Sequence, residues 1–169
     1  MPEPRPPFPQ DQNGTLSADE KGYRALVEHS RDAVALVSAD GAILCASPAT
    51  TCILGYPPDE LTGQNALELL HPDDRGRMTE RWAGSLQQPG AVTTAQFRCR
   101  HRNGSWRWVQ GTGINLLAEP RVQAVVATYR DLTPTKDAEE ELRRQAATLR
   151  AQAEVLRQQT EALREQGRR

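Results

Sequence analysis

A long alternating stretch in the second half of the chain constrains the fold more than any other feature. Between Phe97 and Trp108 apolar and polar residues alternate, and the dipeptide Asn103-Gly104 interrupts the alternation near its centre. Alternation with a period of two is typical of a strand buried on one face, and Asn-Gly favours the tight type I′ turn. The sequence therefore predicts two long antiparallel strands joined by a type I′ hairpin.

Further strands and a group of helices are predicted around this hairpin. Residues 32–47 hold two short aliphatic runs on either side of Asp40-Gly41, which favours a second tight hairpin. Residues 122–131 predict a fifth strand. In the intervening segment short helical patterns begin at prolines and acidic residues, and the longest runs from about Pro72 to Leu86. This order, without strict alternation of strands and helices, predicts an α+β domain with helices on one face of an antiparallel sheet.

The two ends of the chain differ in composition from this central part. Residues 1–17 are rich in proline, glutamine, asparagine and glycine, and we predict a disordered tail because they bury too little apolar surface to become ordered. A capping box that begins at Ser17 predicts a helix ending near His29. Near the other end, Thr133 is a suitable N-cap for a long helix with Pro134 in its first turn. The predicted divisions are a tail at 1–17, a globular domain at 18–133 and a helix at 134–169.

The last part of the chain is a heptad repeat. Leucines stand seven residues apart, each is followed directly by an arginine, and a glutamine comes three residues after each leucine. The leucines are Leu142, Leu149, Leu156 and Leu163, the arginines are Arg143, Arg150, Arg157 and Arg164, and the glutamines are Gln145, Gln152, Gln159 and Gln166. If the leucines occupy heptad position d, then the arginines are at e, the glutamines at g, and Ala146, Ala153 and Thr160 at a.

A strict seven-residue period predicts a left-handed coiled coil. Alanine and threonine at position a bury little surface, so we expect the coil to be marginal alone and to need the globular domain for dimerisation. We expect a homodimer. No ion pairs between positions g and e fix the pairing, and whether the two helices run parallel or antiparallel is left open.

The composition excludes several kinds of partner. The formal net charge is −1, so no overall electrostatic field favours nucleic acid or an anionic membrane. No apolar stretch is long enough for a membrane span and the first residues lack the core of a signal peptide, so we expect a soluble cytoplasmic protein. Cys45, Cys52 and Cys99 lack metal-site spacing, and we expect buried reduced thiols and no metal site.

Four segments occur in the order and spacing of a known family, between about Lys21 and Glu141. They are "EHSRDAVALVSADGAILCAS", "ILGYPPDELTGQNALELLHPDDR", "FRCRHRNGSWRWVQGTGINLL" and "VVATYRDLTPTKDAEEEL". Together they resemble the PAS (S-box) sensor domain of bacterial histidine kinases and cyclic-dinucleotide enzymes. The resemblance implies a five-stranded antiparallel sheet with helices on one face, an interior that can hold a ligand, and a C-terminal signalling helix.

The resemblance also bears on cofactors. Flavin-photochemical relatives carry a reactive cysteine where the segment "GQNALELL" has Ala66, so we expect no covalent flavin. Haem-binding relatives use a histidine of the longest helix, and the segment Pro72–Leu86 contains none. We expect His71 to be a structural turn residue. The ligand is left unnamed: the apolar interior suits a small apolar or aromatic molecule, or only core packing. The candidate pocket residues are Leu44, Ile53, Leu67, Leu70, Met78, Trp82, Phe97, Trp108 and Val126.

The functional expectation is a non-catalytic sensory and dimerisation module that relays a ligand- or partner-induced change through the helix to a partner protein in trans. The resemblance places the coupling point in "RDLT", at Asp131, Leu132 and Thr133. The sequence has no phosphate-binding glycine loop and no "GGDEF" run. The alternative is the sensor portion of a histidine kinase or diguanylate cyclase without its catalytic domain, and whether the chain is complete or a fragment is left open.

Overall fold

The computed structural model describes residue 22 and residues 25–166. The strands are β1 (Ala33–Val37), β2 (Ile43–Ala46), β3 (Val92–Arg100), β4 (Trp106–Leu116) and β5 (Ala124–Asp131). The helices are α1 (Ala49–Leu54), α2 (Pro58–Leu61), α3 (Pro72–Leu86) and α4 (Thr133–Gln166), with a 3₁₀ turn at Ala66–Leu69. Residues 25–28 are also helical, as predicted for the end of the first helix. The predicted tail and the start of that helix lie outside the described residues.

The five strands form one antiparallel sheet in the order β2-β1-β5-β4-β3. The predicted α+β class and the antiparallel sheet are therefore confirmed. Strand β4 pairs with β3 from Val92 opposite Ile114 to Arg100 opposite Trp106, and its other edge pairs with β5. Strand β1, the first of these in sequence, pairs with β5, the last. This crossover places β1, β5 and β4 inside the sheet and leaves β2 and β3 at its edges.

The central hairpin lies where it is predicted, but its turn is not type I′. Gly104 has a φ of 88°, whereas Asn103 keeps a negative φ. Gly104 N donates to His101 O (2.9 Å) and His101 N donates to Ser105 O (2.8 Å), so the loop is a type I turn followed by a left-handed glycine. The Asn103 Oδ1 atom accepts from Ser105 N at 3.0 Å, which stabilises this alternative. The first hairpin has the same geometry, with its positive φ at Gly41.

The core lies between the sheet and the helices. One cluster joins Leu54 of α1, Cys99 of β3 and Val109 of β4, and a second joins Ile43 of β2 and Leu61 of α2. All five side chains are at most 7% exposed. Short helices without strong propensity of their own are thus held by burial of their apolar sides against the strands.

The described chain divides into two compact units, one ending at Leu132 and one beginning at Thr133. Helix α4 includes Thr133, the predicted N-cap, so it begins one residue before the predicted start at Pro134. A shift of one residue at a helix end is within the usual uncertainty of such boundaries.

Candidate functional site

A cavity of about 160 Å³ lies between the sheet and the helices. Its floor consists of small residues from four strands: Ala35 of β1, Ala95 of β3, Gly111 and Gly113 of β4, and Ala127 of β5. Because successive side chains of a strand point to opposite faces, these odd-numbered positions all face the same side of the sheet. Larger side chains at these positions would fill the space, so the cavity follows directly from the choice of residue on this face.

The opposite wall is built from larger apolar side chains. Leu67 and Leu70 contribute from the 3₁₀ turn and the residue after it, and Met78 and Trp82 contribute from successive turns of α3. The Phe97 ring lies over Gly111: a Cβ added to that glycine would be 2.8 Å from the Phe97 Cζ atom. Residue 111 must therefore be glycine if the ring is to keep this position.

Tyr129 and Cys99 bring a hydroxyl and a thiol to the lining of the cavity. The Tyr129 hydroxyl is 2.8 Å from the Thr50 Oγ1 atom, and either group can donate. Thr50 is fully buried. Burial raises the pKa of Tyr129 to about 12, and burial also raises the pKa of the Cys99 thiol to about 12. Both groups are uncharged at neutral pH, so neither adds a charge to the lining.

The N-terminal end of helix α3 is attached to strand β3 by an ion pair. Asp74 is 7% exposed, and its Oδ2 atom accepts from both the backbone N and the Nε of Arg98, each at 2.9 Å. The Arg98 side chain lowers the pKa of Asp74 through this hydrogen bond. His71 caps the helix, because its Nδ1 accepts from Asp73 N at 3.2 Å. These contacts give the "HPDDR" segment a structural role.

The C-terminal end of helix α3 is held by a buried amide. Asn115 of β4 is 2% exposed, and its Nδ2 atom lies 3.0 Å from Ser85 O, 3.3 Å from Leu86 O and 3.0 Å from Gln88 O. Carbonyls in the last turn of a helix have no partner within the helix, so the amide satisfies groups that would otherwise be left open. Its own oxygen accepts from Leu117 N at 3.1 Å.

The middle of helix α3 covers the outer edge of β3. Arg77 donates to Gln96 O at 2.9 Å, and Arg81 donates to Thr94 O at 3.0 Å. Trp82 donates through Nε1 to Ala39 O at 3.1 Å. Since β3 is an edge strand, the two arginine bonds occupy carbonyls that could otherwise pair with another chain. Helix α3 is thus fixed over the cavity along its length.

Five of the predicted pocket residues line the cavity, namely Leu67, Leu70, Met78, Trp82 and Phe97. Ile53 does not: it is 5% exposed and belongs to the core cluster beneath α1. The prediction selected it for its apolar character, which a packed core residue shares with a cavity residue.

Leu44, Trp108 and Val126 are corrections to the predicted pocket, because none of them lines the cavity. Trp108 and Val126 occupy the alternate positions of their strands and face the other side of the sheet. Leu44 is the extra residue of a bulge in β2, between Ile43 opposite Val37 and Cys45 opposite Leu36. Leu44 is 47% exposed, and the Trp108 ring lies 5.4 Å from the Arg98 guanidinium carbon. Apolar character alone selected these residues. Strand parity excludes Trp108 and Val126, and the bulge in β2 excludes Leu44.

Several residues of the site were missed by the sequence reasoning. Ala95 and Cys99 stand two residues before and after Phe97 in β3, and Tyr129 stands on the same face of β5. Alternation could therefore have identified all three. Asn115 had no such signal, because the carbonyls that it binds are 27 to 30 residues away in the chain. The cysteines were expected to be buried: Cys99 is buried, Cys45 is partly buried, and Cys52 is exposed.

The predicted coupling residues lie at the end of β5 and the start of α4. Asp131 is the last residue of β5 and stands opposite Val109, and Leu132 N donates to Trp108 O at 2.7 Å. Thr133 begins α4. The heptad leucines Leu142, Leu149, Leu156 and Leu163 are between 62% and 68% exposed along that helix.

Metal-binding clusters and membrane-spanning helices are both absent from the part of the chain that the structure describes. In the described residues no group of three or more histidine, cysteine, aspartate or glutamate side chains could hold a metal ion. Within the same part of the chain no helix combines the length and the apolar character needed to cross a membrane.

The chain is similar to known proteins over this domain. A family model described as the PAS fold matches residues 43–129. The sensor histidine kinase TmoS of Ectopseudomonas mendocina is 31% identical over 138 residues, which make up 80% of this chain and 14% of that protein. An aryl hydrocarbon receptor nuclear translocator homolog of Drosophila melanogaster is 34% identical over 58 residues, which cover 34% of this chain and 9% of that protein. The chain thus spans only a small part of these two relatives.

Solved structures show the same fold. The PAS domain of a Colwellia psychrerythraea protein matches with a TM-score of 0.60 at 20% identity, over 68% of this chain and 97% of that one. The PAS domain of an HTR-like protein from Haloarcula marismortui matches with a TM-score of 0.59 at 22% identity, over 69% and 99% of the two chains. With the family match over more than half of its residues, the chain belongs to the PAS fold family, as a sensory domain related to those of sensor histidine kinases.

Proposed function

We propose that this chain is a non-catalytic sensory and dimerisation module that binds a small apolar ligand in the cavity and relays the event through helix α4 to a partner protein in trans. The cavity is the observation that supports this proposal best. Protein interiors are normally packed without voids of this size, because each void forfeits dispersion contacts. A volume of about 160 Å³ resembles the roughly 150 Å³ apolar cavity that accepts benzene in another protein.

The lining is mainly apolar, which supports an apolar ligand held without a covalent bond, and its charged residue Arg81 already donates to Thr94 O at 3.0 Å. Tyr129 and Cys99 are neutral at physiological pH, and burial makes ionisation harder still by raising the pKa of each to about 12. A thiol with such a pKa is a poor nucleophile, since the thiolate is the reactive form. Ala66 also lines the cavity. It occupies the position of the reactive cysteine in flavin relatives, and its methyl group is not a nucleophile.

Replacing Gly113 with valine is expected to abolish ligand uptake without unfolding the domain. A Cβ at this position would meet only the Val125 Cγ1 atom, at an ordinary distance of 3.5 Å, and the remaining methyl groups would enter the cavity. We expect at least tenfold weaker binding of benzene as a size-matched probe, measured by calorimetry. Thermal stability should be unchanged or higher, because glycine is unfavourable within a strand.

The matched control is Gln110→Val, which makes a β-branched change on the other face of the same strand. It should leave benzene binding at the parent level. Equal binding by the Gly113 variant and the parent would show that the probe occupies another place. Failure of the parent chain to bind benzene or any small apolar compound from a cell extract would contradict the sensory part of the proposal.

The dimerisation part of the proposal is supported by helix α4. Its 34 residues correspond to about 50 Å of continuous helix, and the leucines at every seventh position are exposed to solvent. A solvated helix of this composition has little reason to keep four exposed leucines, whereas a coiled coil buries them. We place the relay at Asp131, Leu132 and Thr133, where the last strand leads into the helix.

A chain that ends at Leu132 is expected to lose most of its dimer affinity while its domain stays folded. The cut falls at the boundary between the two compact units, so the sheet and its cavity keep their contacts. Sedimentation equilibrium of the two chains measures the change, and circular dichroism checks the fold. Identical monomers for both chains would contradict the relay.

A second candidate function is supported by the match to TmoS. The 138 matching residues correspond to 14% of that kinase, so a segment of this kind can be one sensor within a longer protein. On this alternative the chain is the sensor portion of a histidine kinase or diguanylate cyclase. Detection of a longer native polypeptide with an antibody to the PAS domain would favour it over a partner in trans.

A further inference from the structure

We propose that a second groove of the domain binds residues 4–9, the proline-rich segment of the same chain. The groove has a volume of about 410 Å³ and lies between the helical residues 25–28, strands β1 and β2, and helix α2. It shares Ala35 and Ala46 with the wall of the first cavity, but it has no part in the ligand binding or the relay proposed above. We call it the β2 groove, and the lining residues that matter here are Val27, Glu28, Leu36, Cys45, Pro58 and Asp59.

The lining of the β2 groove combines apolar walls with two exposed acids. Val27, Leu36 and Pro58 are partly buried and come from three different elements. Glu28 and Asp59 are exposed, and within the described residues neither carboxylate has a hydrogen bond or an ion pair. A groove of this kind suits an apolar segment that also carries a positive charge.

The start of the chain has the composition that this groove requires. Five of its first nine residues are prolines, and such a sequence favours the polyproline II helix, which has three residues per turn. Pro4 and Pro7 then share one edge of that helix, and Pro6 and Pro9 share the next. A segment too poor in aliphatic residues to form its own core can still order on a preformed surface, and its prolines reduce the entropy lost on binding.

Arg5 supplies the charge that complements the two acids. It is the only cationic side chain in residues 1–20, and it lies on the third edge of the polyproline II helix. With the two proline edges against the apolar walls, the guanidinium can reach the solvent side of the groove, where Glu28 and Asp59 are exposed. The charges and the apolar surfaces therefore match in the same orientation of the segment.

The connection to the groove is long enough for binding within one chain. If the helix predicted from Ser17 is complete, it places Ser17 about 17 Å from Glu28, at 1.5 Å per residue. The seven residues between Pro9 and Ser17 span up to about 23 Å when extended, so the segment can return along the helix to the groove. Because the segment is tethered, its effective concentration at the groove exceeds that of a free peptide.

The test compares alkylation of two cysteines in the full chain by iodoacetamide, with peptide mass spectrometry as the readout. Cys45 lines the groove and is partly buried, whereas Cys52 is exposed and outside it, so the ratio of their rates reports how often the groove is open. Arg5→Glu turns an attraction into a repulsion and should raise the ratio about fivefold at low salt. Added salt should raise the ratio of the parent chain.

Changes in the groove should act through the same interaction. Glu28→Gln combined with Asp59→Asn removes both charges at exposed positions, so the domain should stay folded and the ratio should rise. Adding Arg5→Glu to this pair should raise the ratio less than it does in the parent, because one interaction can be lost only once. Arg31→Glu is the matched control: it makes the same charge reversal at an exposed residue outside the groove and should leave the ratio unchanged.

Three results would overturn the proposal. The first is a parent-like ratio in the Arg5→Glu chain, which would show that the segment does not cover the groove. The second is an equal rise in the Arg31→Glu chain, which would mean that net charge alone controls the reaction. The third is a ratio in the parent chain that rises on dilution, because the groove would then be covered by the tail of a second copy and not by that of the same chain.

Discussion

Replacing Asn115 with aspartate is expected to lower the melting temperature of the PAS domain by about 15 °C at neutral pH. The amide of Asn115 faces three carbonyl oxygens at the end of α3, at 3.0, 3.3 and 3.0 Å. A carboxylate has no proton to donate to them. It would also place a negative charge at the negative end of the helix dipole, in a position that is 2% exposed. Unsatisfied carbonyls and a buried charge together cost about 3 kcal/mol.

The effect of this substitution should depend on pH in a defined direction. Burial disfavours the charged carboxyl, so the folded variant binds a proton more readily than the unfolded chain. Its deficit relative to the parent is therefore largest at neutral pH and shrinks as the pH falls. Thermal melts of both chains between about pH 4 and pH 7 measure this.

Asn115→Ala separates the charge from the lost hydrogen bonds. It removes the same donors without adding a charge, so it should destabilise less than aspartate and by an amount that does not change with pH. Faster hydrogen exchange at residues 80–86 in both variants would show that the end of α3 over the cavity is loosened. Parent-like melting of the aspartate variant would contradict the buried cap.

The sequence predicts the secondary structure of this domain better than its cavity. Periodicity and turn dipeptides identify β3, β4 and α3, because these elements bury one face and repeat at a characteristic spacing. The predicted turn type at Asn103 was wrong. The Asn-Gly dipeptide also fits a longer loop, in which Asn103 keeps a negative φ and Gly104 has a positive φ. The local sequence therefore predicts where the chain reverses direction more reliably than it predicts the dihedral angles within each turn.

The cavity exists because large side chains are absent from one face of the sheet. Such an absence is harder to recognise in a sequence than a repeat of apolar residues. Selection by apolar character chose Leu44 and Val126, neither of which lines the cavity. The informative residues were instead the small ones, such as Gly113 and Ala127, at the parity of Phe97. Contacts between elements distant in the chain, such as Asn115 with the end of α3, leave no local pattern at all.

Replacing Asp74 with asparagine is expected to destabilise the domain by about 2 kcal/mol at neutral pH. Asparagine keeps the shape, but it removes the charge that accepts three hydrogen bonds from Arg98, at 2.9, 2.9 and 3.2 Å. The pair fixes the N-terminal end of α3 as Asn115 fixes the C-terminal end. Loss of either attachment should loosen the helix that covers the cavity, so the variant should also bind the benzene probe more weakly than the parent.

The pH dependence gives a second readout for Asp74. The Arg98 hydrogen bond holds the pKa of Asp74 below its usual value, so its stabilisation is fully present above about pH 4, the range of an unfolded aspartate, and is lost as the pH falls through the folded pKa. The difference in unfolding free energy between parent and variant should therefore vanish in acid. Urea titrations at a series of pH values measure it.

Asp73→Asn is the matched control, one residue away. The Asp73 side chain is 72% exposed and lies 3.4 Å from the same arginine, and an exposed ion pair contributes about 1 kcal/mol or less. This variant should stay close to the parent at every pH. Equal destabilisation by the two substitutions would mean that net charge near Arg98, and not the buried geometry of Asp74, attaches the helix to the sheet.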